Sequence, residues 1–422
     1  MTLIHNIYII IYLFVCVCPF INTHIAEASP KTINNTQLIS LSSGSKVNDV
    51  QLTEIVDTLF YTALDYPKIK TILQVHLHDS LILINDSKSV IIFNRQGKYL
   101  RSIPLEKGSM DIVGDILYTY QFLNKEICAY TLKGDKLWRN LLNYPNEAGY
   151  MGDYFVSITP NLFAVANMSI GYNHYELLFF NKEGEIVNSR ENRCFFQKQQ
   201  VNTYNSIWKR LLFRGYDGIY YHPFFNDTVY SVQYTNIRPA IIEKLVKKVP
   251  LKQRLEYTGE SLESFHKYCL KEKVYATRFF ETERYIIVEY QIGSLLNSVS
   301  NYFIYDKTTQ KLSGTHNDLL SLLNNSQRLH IGIFNDYDGG LAFQPMYQTE
   351  NYLIMVDAGD NQGVKKSMPS ELYRKGRKIK DKSYICTSDV WLKQKYKDAA
   401  TSFFDKNKGD NSTILTIVKL KK

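Results

Sequence analysis

The chain has 422 residues, of which 45% are hydrophobic and 22% are charged, a balance that supplies a core and is ordinary for a soluble protein. Its net charge of +9 favours anionic partners or surfaces in general and specifies none. The cysteines that follow residue 28 are too few and too far apart for a disulfide framework or a zinc knuckle, which leaves buried free thiols or one long-range disulfide. They are Cys128, Cys194, Cys269 and Cys386. The 32 tyrosines and 22 phenylalanines favour β structure, because aromatic side chains fit half-buried pleated surfaces.

The amino terminus predicts an export leader. Ile7–Val17 is an unbroken apolar stretch too short to span a bilayer comfortably, and Ala26-Glu27-Ala28 offers a cleavage site, so residues 1–28 are expected to be a signal peptide. Lipidation at Cys16 or Cys18 is the second choice, since valine precedes each where a small residue is expected. We expect a periplasmic or cell-envelope protein, with a lipid-anchored outer-membrane location as the alternative. Membrane contact would come only through an uncleaved leader or a lipid anchor.

A repeated pattern follows residues 29–49, a Ser/Asn/Thr-rich lead-in that we expect to be flexible. Each copy has two apolar runs, a four-residue polar turn that ends in glycine, and another strand-like run. The copies cover Leu81–Ile103, Ile116–Asn140 and Leu162–Val187, with their turns ending at Gly97, Gly134 and Gly184. Repetition of a multi-strand unit indicates propeller blades with these glycines in equivalent hairpins, and the irregular spacing argues against a periodic solenoid.

Two stretches near the middle of the chain predict a short helical insertion at about residues 240–272. Apolar residues between Ile241 and Val246 fall at helical spacing. Ser261–Leu270 offers a second helix that Ser261 could cap.

The last part of the chain predicts a loop, a helix and a closing strand. Lys365–Lys382 is basic and predicts a solvated loop, with acidic polysaccharide or lipid headgroups as functional alternatives; no nucleic acid is expected as the partner of an exported protein. Ser388 begins a predicted amphipathic helix, and Ile414–Leu420 is a final strand. Pairing the two chain ends in one blade would remove an exposed edge. The sequence therefore predicts one all-β domain over residues 50–422, a six-bladed antiparallel β-propeller closed by its N- and C-terminal strands.

Four segments resemble a known family. They are FNRQGKYLRSI at Phe93–Ile103, Asn226–Tyr230 followed by Arg238-Pro239, Asn335–Gly340 followed by Phe343 and Pro345, and Asp410-Asn411 followed by the final strand. From about Val50 to Lys422 the chain is similar to the six-bladed β-propeller proteins abundant in Bacteroidetes, which are often exported or lipoprotein-like. The resemblance implies that fold and an exported location. It implies little chemistry, because most of the family is uncharacterised.

Two groups of residues are candidate metal ligands. Asp336 and Asp338 could offer oxygens to a hard cation such as calcium, although the Asp-Gly-Gly that follows is first a turn signal. His76 and His78 alternate on a predicted strand and so face one side, but as a zinc pair they lack an evident third ligand.

Carboxylates are the candidates for catalysis, and none is assigned. Glu281, Glu283 and Glu289 lie near or within one strand, whereas glycoside hydrolysis needs two carboxylates that converge in space. Solvation of a strand edge is the commoner role for such residues. The sequence has no nucleophile elbow, phosphate loop, dinucleotide fingerprint or HExxH helix, and no cofactor is identified beyond the calcium considered above.

We therefore expect an exported, non-catalytic module that binds a glycan or peptide ligand at a propeller face. One alternative is a carbohydrate-active hydrolase or lyase with carboxylates at the central channel. The other is a structural partner of an envelope protein, which predicts a large exposed apolar patch. The fold alone does not choose between these functions.

Overall fold

The computed structural model describes the sheets of the domain and most of their turns. The described residues are 38–42, 48–67, 69–105, 108–145, 154–167, 174–192, 211–223, 226–245, 277–293, 298–315, 332–333, 335–338, 342–357, 403 and 413–422. All belong to one compact unit, Asn35–Lys422. Several predicted features lie outside these residues: the leader, Cys194, Cys269, Cys386 and the basic segment. The helix predicted from Ser388 also lies outside them, apart from Phe403. Within the described ranges, no helix is long and apolar enough to cross a membrane.

The secondary structure consists of 26 strands and one short helix, α1 (Leu52–Ile55), in the described residues. The strands are β1 (Ile39–Ser42), β2 (Asn48–Asp49), β3 (Val56–Ala63), β4 (Gln74–His78), β5 (Leu81–Asn85), β6 (Ser89–Asn94), β7 (Tyr99–Pro104), β8 (Gly108–Val113), β9 (Ile116–Gln121), β10 (Glu126–Thr131), β11 (Lys136–Leu141), β12 (Tyr154–Thr159), β13 (Leu162–Ala166), β14 (Tyr175–Asn181), β15 (Ile186–Glu191), β16 (Leu212–Arg214), β17 (Ile219–Tyr221), β18 (Thr228–Gln233), β19 (Asn236–Lys244), β20 (Thr277–Glu281), β21 (Tyr285–Gly293), β22 (Ser298–Asp306), β23 (Leu312–Gly314), β24 (Tyr347–Thr349), β25 (Tyr352–Asp357) and β26 (Ile414–Leu420).

The strands form a six-bladed antiparallel β-propeller, which confirms the predicted fold class. Blades 1, 2 and 3 are β4–β7, β8–β11 and β12–β15; blades 4 and 5 are β16–β19 and β20–β23; blade 6 is β24, β25, β26 and β3. The middle strands, such as β6 and β14, are almost wholly buried, because both of their faces pack on neighbouring blades. The outermost strands β11 and β15 are largely exposed. This burial explains the unbroken apolar runs of the repeated pattern.

Blade 6 closes the propeller with both ends of the domain. β26 pairs with β25 on one side and with β3 on the other, with Ile417 opposite Ile354 and Phe60. The predicted closure by terminal strands is confirmed. It ties residues near the start of the domain to its last strand by main-chain hydrogen bonds.

The predicted lead-in contains two strands, so the expectation that residues 29–49 are flexible is wrong for them. β1 pairs in parallel with β19 as a fifth strand of blade 4, and β2 pairs in parallel with β23 of blade 5. Leu41 of β1 is buried in the apolar cluster between these blades. The strands β1, β2 and β3 are therefore the outermost strands of blades 4, 5 and 6 in turn.

The first residues of the predicted helical insertion are also a strand. β19 extends to Lys244 and pairs with β18 and β1, so the prediction of a helix that starts at about residue 240 is wrong. Ala240 and Ile241 are both buried because Ala240 is the extra residue of a bulge in β19 and β1 covers the outer edge of that strand. Buried residues that are adjacent in a strand give the sequence the same apolar spacing as one face of a helix, which explains the wrong prediction. The rest of the insertion, after Leu245, lies outside the described residues.

The two ends of the propeller carry different connections. At one, the turn end, the first strand of each blade joins the second, and in blades 1 to 5 the third joins the fourth. At the other, the loop end, the second strand joins the third and successive blades are connected. Gly97, Gly134 and Gly184 lie in third-to-fourth-strand hairpins with φ of 82°, 100° and 86°, which confirms that they are equivalent. Their left-handed conformation favours glycine.

Candidate functional site

Polar side chains join the first strands of neighbouring blades around the axis. In blades 1 and 2, the Gln74 side chain accepts a hydrogen bond from the Met110 N–H (2.7 Å) and donates one to the Met110 carbonyl (3.0 Å). Across the junction of blades 6 and 1, Thr349 Oγ1 accepts from the Leu77 N–H (3.1 Å). Each of the other four junctions also has a bond between a side chain and the main chain. These bonds form a closed ring of contacts between blades.

Asp111 is the centre of the ring in blades 2, 3 and 4. Its Oδ2 accepts from the Ser157 N–H (2.9 Å) and from Arg214 Nη2 (2.7 Å). Arg214 also donates to the Ser157 carbonyl (2.6 Å). Because the buried carboxylate has a cation and a backbone donor, its charge is compensated within the protein.

Glu281 is the corresponding centre in blades 4, 5 and 6. Its carboxylate is 2.5 Å from Lys307 Nζ and accepts from the Asp217 N–H (3.0 Å), and its own N–H donates to Gln348 Oε1 (3.0 Å). Burial raises the pKa of Glu281 above its ordinary value of 4.5, although Lys307 and the Asp217 N–H act in the opposite direction. Burial, followed by the charges of Glu281 and Asp217, also raises the pKa of Tyr220.

The three glutamates considered for catalysis have separate partners. Glu281 belongs to the ring, whereas Glu283 accepts from Asn351 Nδ2 (3.0 Å) in the turn of blade 6. Glu289 is 2.6 Å from Arg278 Nε, and Arg278 lies three residues before Glu281 on β20. Since a strand rises about 3.3 Å per residue, Glu281 and Glu289 are separated by roughly 10 Å along the blade. Glu281 and Glu289 are thus each paired with a cation of their own.

His76 and His78 lie on alternate positions of β4, on the same side of the strand, as the sequence predicted. His78 Nε2 is 3.2 Å from Asp115 Oδ1 and 3.9 Å from Asp79 Oδ2. The three groups could hold a metal ion, since their ligand atoms all lie within 4.8 Å of one another. Sequence reasoning missed Asp115 because it lies in the first hairpin of the next blade. Its proximity could have been inferred from the repeat, because Asp79 and Asp115 both lie in first-to-second-strand turns of adjacent blades.

Asp336 and Asp338 contact the N-terminal segment. Both oxygens of Asp336 accept hydrogen bonds from Thr53, with the Thr53 N–H 2.8 Å from Oδ1 and its hydroxyl bonded to Oδ2. Asp338 accepts from the Tyr61 hydroxyl (2.7 Å) and from Asn335 Nδ2 (2.8 Å). The two carboxylates therefore hold α1 and β3 against the segment that precedes β24.

Cys128 is a free, buried thiol on β10. Burial raises its pKa, and the nearby Glu126 carboxylate adds to the effect. A thiol with a raised pKa is a poor nucleophile at neutral pH, so a structural role suits Cys128.

A family model described as "domain of unknown function (DUF4934)" matches residues 39–384. The chain belongs to the DUF4934 family. The matched region begins at Ile39, the first residue of β1, so the family model includes the two strands that sequence reasoning assigned to the lead-in. No curated protein matches this DUF4934 chain.

A solved structure shares the fold of this DUF4934 protein. A presumed exported protein of Bacteroides fragilis is 15% identical with a TM-score of 0.63, and the match covers 92% of this chain and all of that one. A member of the DUF4221 family from Bacteroides vulgatus is 9% identical with a TM-score of 0.42, over 64% of this chain and 87% of that one. The family and the first of these structures confirm the resemblance to Bacteroidetes propeller proteins seen in the sequence.

Proposed function

We propose that this protein is an exported, non-catalytic β-propeller that binds a glycan or peptide ligand at its loop end. The unequal connections at the two ends carry the proposal. The turn end has hairpins such as 79–80 and 114–115, whereas the described strand ends that precede and follow residues 192–211, 245–276, 315–346 and 358–413 in the sequence all lie at the loop end. Binding residues concentrate on loops that a rigid scaffold positions.

Among the described residues, exposed leucines at the loop end could contact a ligand. Leu73, before the first strand of blade 1, and Leu123, between the second and third strands of blade 2, lie at this end, and 41% and 59% of their surfaces are exposed. Ion pairs with a buried carboxylate join neighbouring strands within the blades. In blade 3, Arg190 contacts Glu176 and lies over the Tyr230 ring, with 4.4 Å between the guanidinium carbon and the ring centroid. Exposed apolar side chains on a rigid scaffold can contact a ligand at little cost in conformational entropy.

Export rests on the predicted leader and on the B. fragilis structure. We place the protein in the periplasm or cell envelope, with lipid-anchored attachment to the outer membrane as the alternative. Mass spectrometry of the mature N-terminus from the native host tests this. A terminus at Ser29 supports cleavage after Ala28, an acylated Cys16 or Cys18 supports the anchor, and an intact Met1 in the cytosolic fraction contradicts export.

Thermal-shift measurements against panels of soluble oligosaccharides and peptides test the binding function. A ligand that binds the folded state raises the melting temperature, by an amount that grows with its concentration above Kd. Leu123→Asp, at the loop end, should weaken any hit at least tenfold, and Asn161→Asp, in a turn of blade 3, is the control at the turn end. A hit that Asn161→Asp weakens and Leu123→Asp does not would place the site at the wrong end. Release of reducing ends from a bound glycan would favour the hydrolase or lyase.

A second function, a structural partner in an envelope complex, is favoured by the outer edges of the blades. In the described residues, β1 and β2 cover the outermost strands of blades 4 and 5, whereas no strand pairs with the outer edge of β7, β11 or β15. Leu100, Leu137 and Val187 are exposed at the third position after the hairpin glycines of these strands. An extended segment of a partner could pair there as β1 does on β19. A photo-crosslinker at Leu137 should then give an adduct in native envelopes that one at Asn161 does not.

A further inference from the structure

We propose that His78, Asp79 and Asp115 bind one divalent transition-metal ion, such as Zn²⁺, at the turn end between blades 1 and 2. His78 and Asp79 come from the end of β4 and the hairpin after it, and Asp115 comes from the hairpin between β8 and β9. The ion would thus join two blades. The inference is independent of the ligand proposed for the loop end.

The positions of the ligand atoms are close to those of a coordination sphere. Zn–N and Zn–O distances of about 2.1 Å place neighbouring ligand atoms roughly 3.0–3.4 Å apart in octahedral or tetrahedral geometry. His78 Nε2 and Asp115 Oδ1 are already 3.2 Å apart. Asp79 Oδ2 is 3.9 Å from the same nitrogen, and the Asp79 side chain is 85% exposed, so a change of its rotamer could bring the oxygen about an ångström closer. The ring nitrogen that faces both carboxylates is the one that would coordinate.

The carboxylates of Asp79 and Asp115 would be stabilised by a bound cation. In the described residues, the strongly paired carboxylates have a lysine or arginine partner, as Asp111 has Arg214 and Glu281 has Lys307. Asp79 and Asp115 have no such partner in that part of the chain, and their nearest positively chargeable group is the shared imidazole. Arg95 approaches this hairpin, but its Nε donates to the Asp79 main-chain oxygen (2.6 Å). Two carboxylates that converge without a fixed cation repel each other, and a bound divalent ion would remove that repulsion.

The ligand chemistry selects the kind of ion. A neutral imidazole with two carboxylates suits Zn²⁺, Mn²⁺ or Co²⁺, whereas calcium prefers six to eight oxygens and no nitrogen. Three protein ligands leave at least one position open for water or a ligand group. β4 and β8 hold the ligands on two strands that the Gln74–Met110 hydrogen bonds already join. The site is therefore held by the scaffold, while its exposed carboxylates can adjust to the ion.

Isothermal titration calorimetry of the untagged full chain with ZnCl₂, in metal-free buffer, tests the proposal. His78→Ala and Asp115→Asn should each weaken one saturable Zn²⁺ site at least tenfold, and CaCl₂ should not occupy it. Glu183→Gln removes an exposed carboxylate in a blade 3 turn without a neighbouring histidine, and it should leave the affinity unchanged. Circular dichroism checks folding, and Asp115→Asn, whose side chain is 88% exposed, keeps the test valid if His78→Ala fails to fold.

Two results would overturn the metal site. One is the absence of saturable Zn²⁺ binding to the wild type up to roughly 1 mM, a concentration that corresponds to very weak affinity. The other is wild-type affinity in both His78→Ala and Asp115→Asn, which would place the bound Zn²⁺ elsewhere, for example on the leader cysteines. A tenfold loss in these two variants alone supports the site.

Discussion

Gly97 lies directly against Ala63: a Cβ added to Gly97 would come within 2.1 Å of the Ala63 carbonyl oxygen. Gly97 belongs to a turn of blade 1 and Ala63 ends the outermost strand of blade 6, so this contact lies where the propeller closes. Gly184 of blade 3 makes the same approach to Leu141 of blade 2, with 1.9 Å between an added Cβ and the Leu141 carbonyl oxygen. These glycines set the spacing between blades as well as the shape of their own turns.

We expect Gly97→Ala and Gly184→Ala each to lower the free energy of unfolding by about 3 kcal/mol, because the methyl group meets main-chain atoms and φ is positive. Gly134→Ala is the matched control. The φ of Gly134 is 100°, but the nearest atom to an added Cβ is Ile103 Cγ1 at 3.7 Å. Gly134→Ala should therefore cost only about 1 kcal/mol, for the positive φ that alanine would have to adopt. Urea unfolding measures all three. Equal losses at the three positions would contradict the spacing role.

The N-terminal strand β1 should stabilise the propeller through Leu41. Leu41 is 1% exposed in the cluster between blades 4 and 5, so Leu41→Ala should cost about 3 kcal/mol. Leu38 lies one residue before the same strand and is 46% exposed, so Leu38→Ala should cost less than about 0.5 kcal/mol. Chemical denaturation compares the two. If Leu41→Ala is as mild as Leu38→Ala, β1 is not part of the cooperative unit.

Thr53 and Asp336 should be energetically coupled, because the Thr53 N–H and hydroxyl both donate to the Asp336 carboxylate. A double-mutant cycle with Thr53→Ala and Asp336→Ala should give a coupling energy of about 1.5–3 kcal/mol, the range for hydrogen bonds to a charged group. Asp336→Ala should be the costlier single change, since it removes the acceptor of the Thr53 N–H as well. Additive single changes would show that this contact does not anchor α1.

Calcium at Asp336 and Asp338 stays a prediction, and the hydrogen bonds to these carboxylates sharpen its test. An ion would have to share or replace donors from Thr53, Tyr61 and Asn335. If calcium binds there, CaCl₂ should raise the melting temperature of the wild type and should not raise that of Asp338→Asn. An equal response of the two proteins, or none in either, would count against the site.

The sequence predicts those parts of the fold whose causes are local. Gly97, Gly134 and Gly184 are recognisable because a positive φ favours glycine wherever a four-residue turn repeats. The terminal strand Ile414–Leu420 is recognisable by its apolar run. β1 is not, because Ile39–Ser42 is half polar and pairs with Ile241–Lys244, about two hundred residues further along the chain. Pairings over such separations leave no local pattern.

The candidate sites show the same division. The common side of His76 and His78 follows from strand geometry alone. The approach of Asp115 to His78 depends on how two blades pack, and one repeat does not show it. For β19, a bulge and a covering strand buried adjacent residues and so imitated a helix. The failures therefore lie where burial is decided by a distant part of the chain.

The Glu281–Lys307 pair should give the protein a pH-dependent stability that one substitution removes. Because the pKa of Glu281 is raised on folding, the folded state binds more protons than the unfolded state above the ordinary value of 4.5. The stability that Glu281 contributes through this shift is thus fully present below pH 4.5 and is lost as the pH rises through the raised pKa. Glu281→Gln abolishes this titration, while Lys307 keeps Asp217 at 3.4 Å as a counter-ion.

Melting temperatures of wild type and Glu281→Gln, recorded from about pH 4 to pH 8, measure the effect. The melting temperature of Glu281→Gln should rise relative to that of the wild type as the pH increases, because the variant has no buried carboxyl group to ionise. Glu183→Gln, at an exposed turn of blade 3, should follow the wild-type curve throughout. Lys307→Met leaves the buried carboxyl group without its cation and should cost about 3 kcal/mol near neutral pH. Parallel curves for the wild type and Glu281→Gln would show that burial does not shift this group.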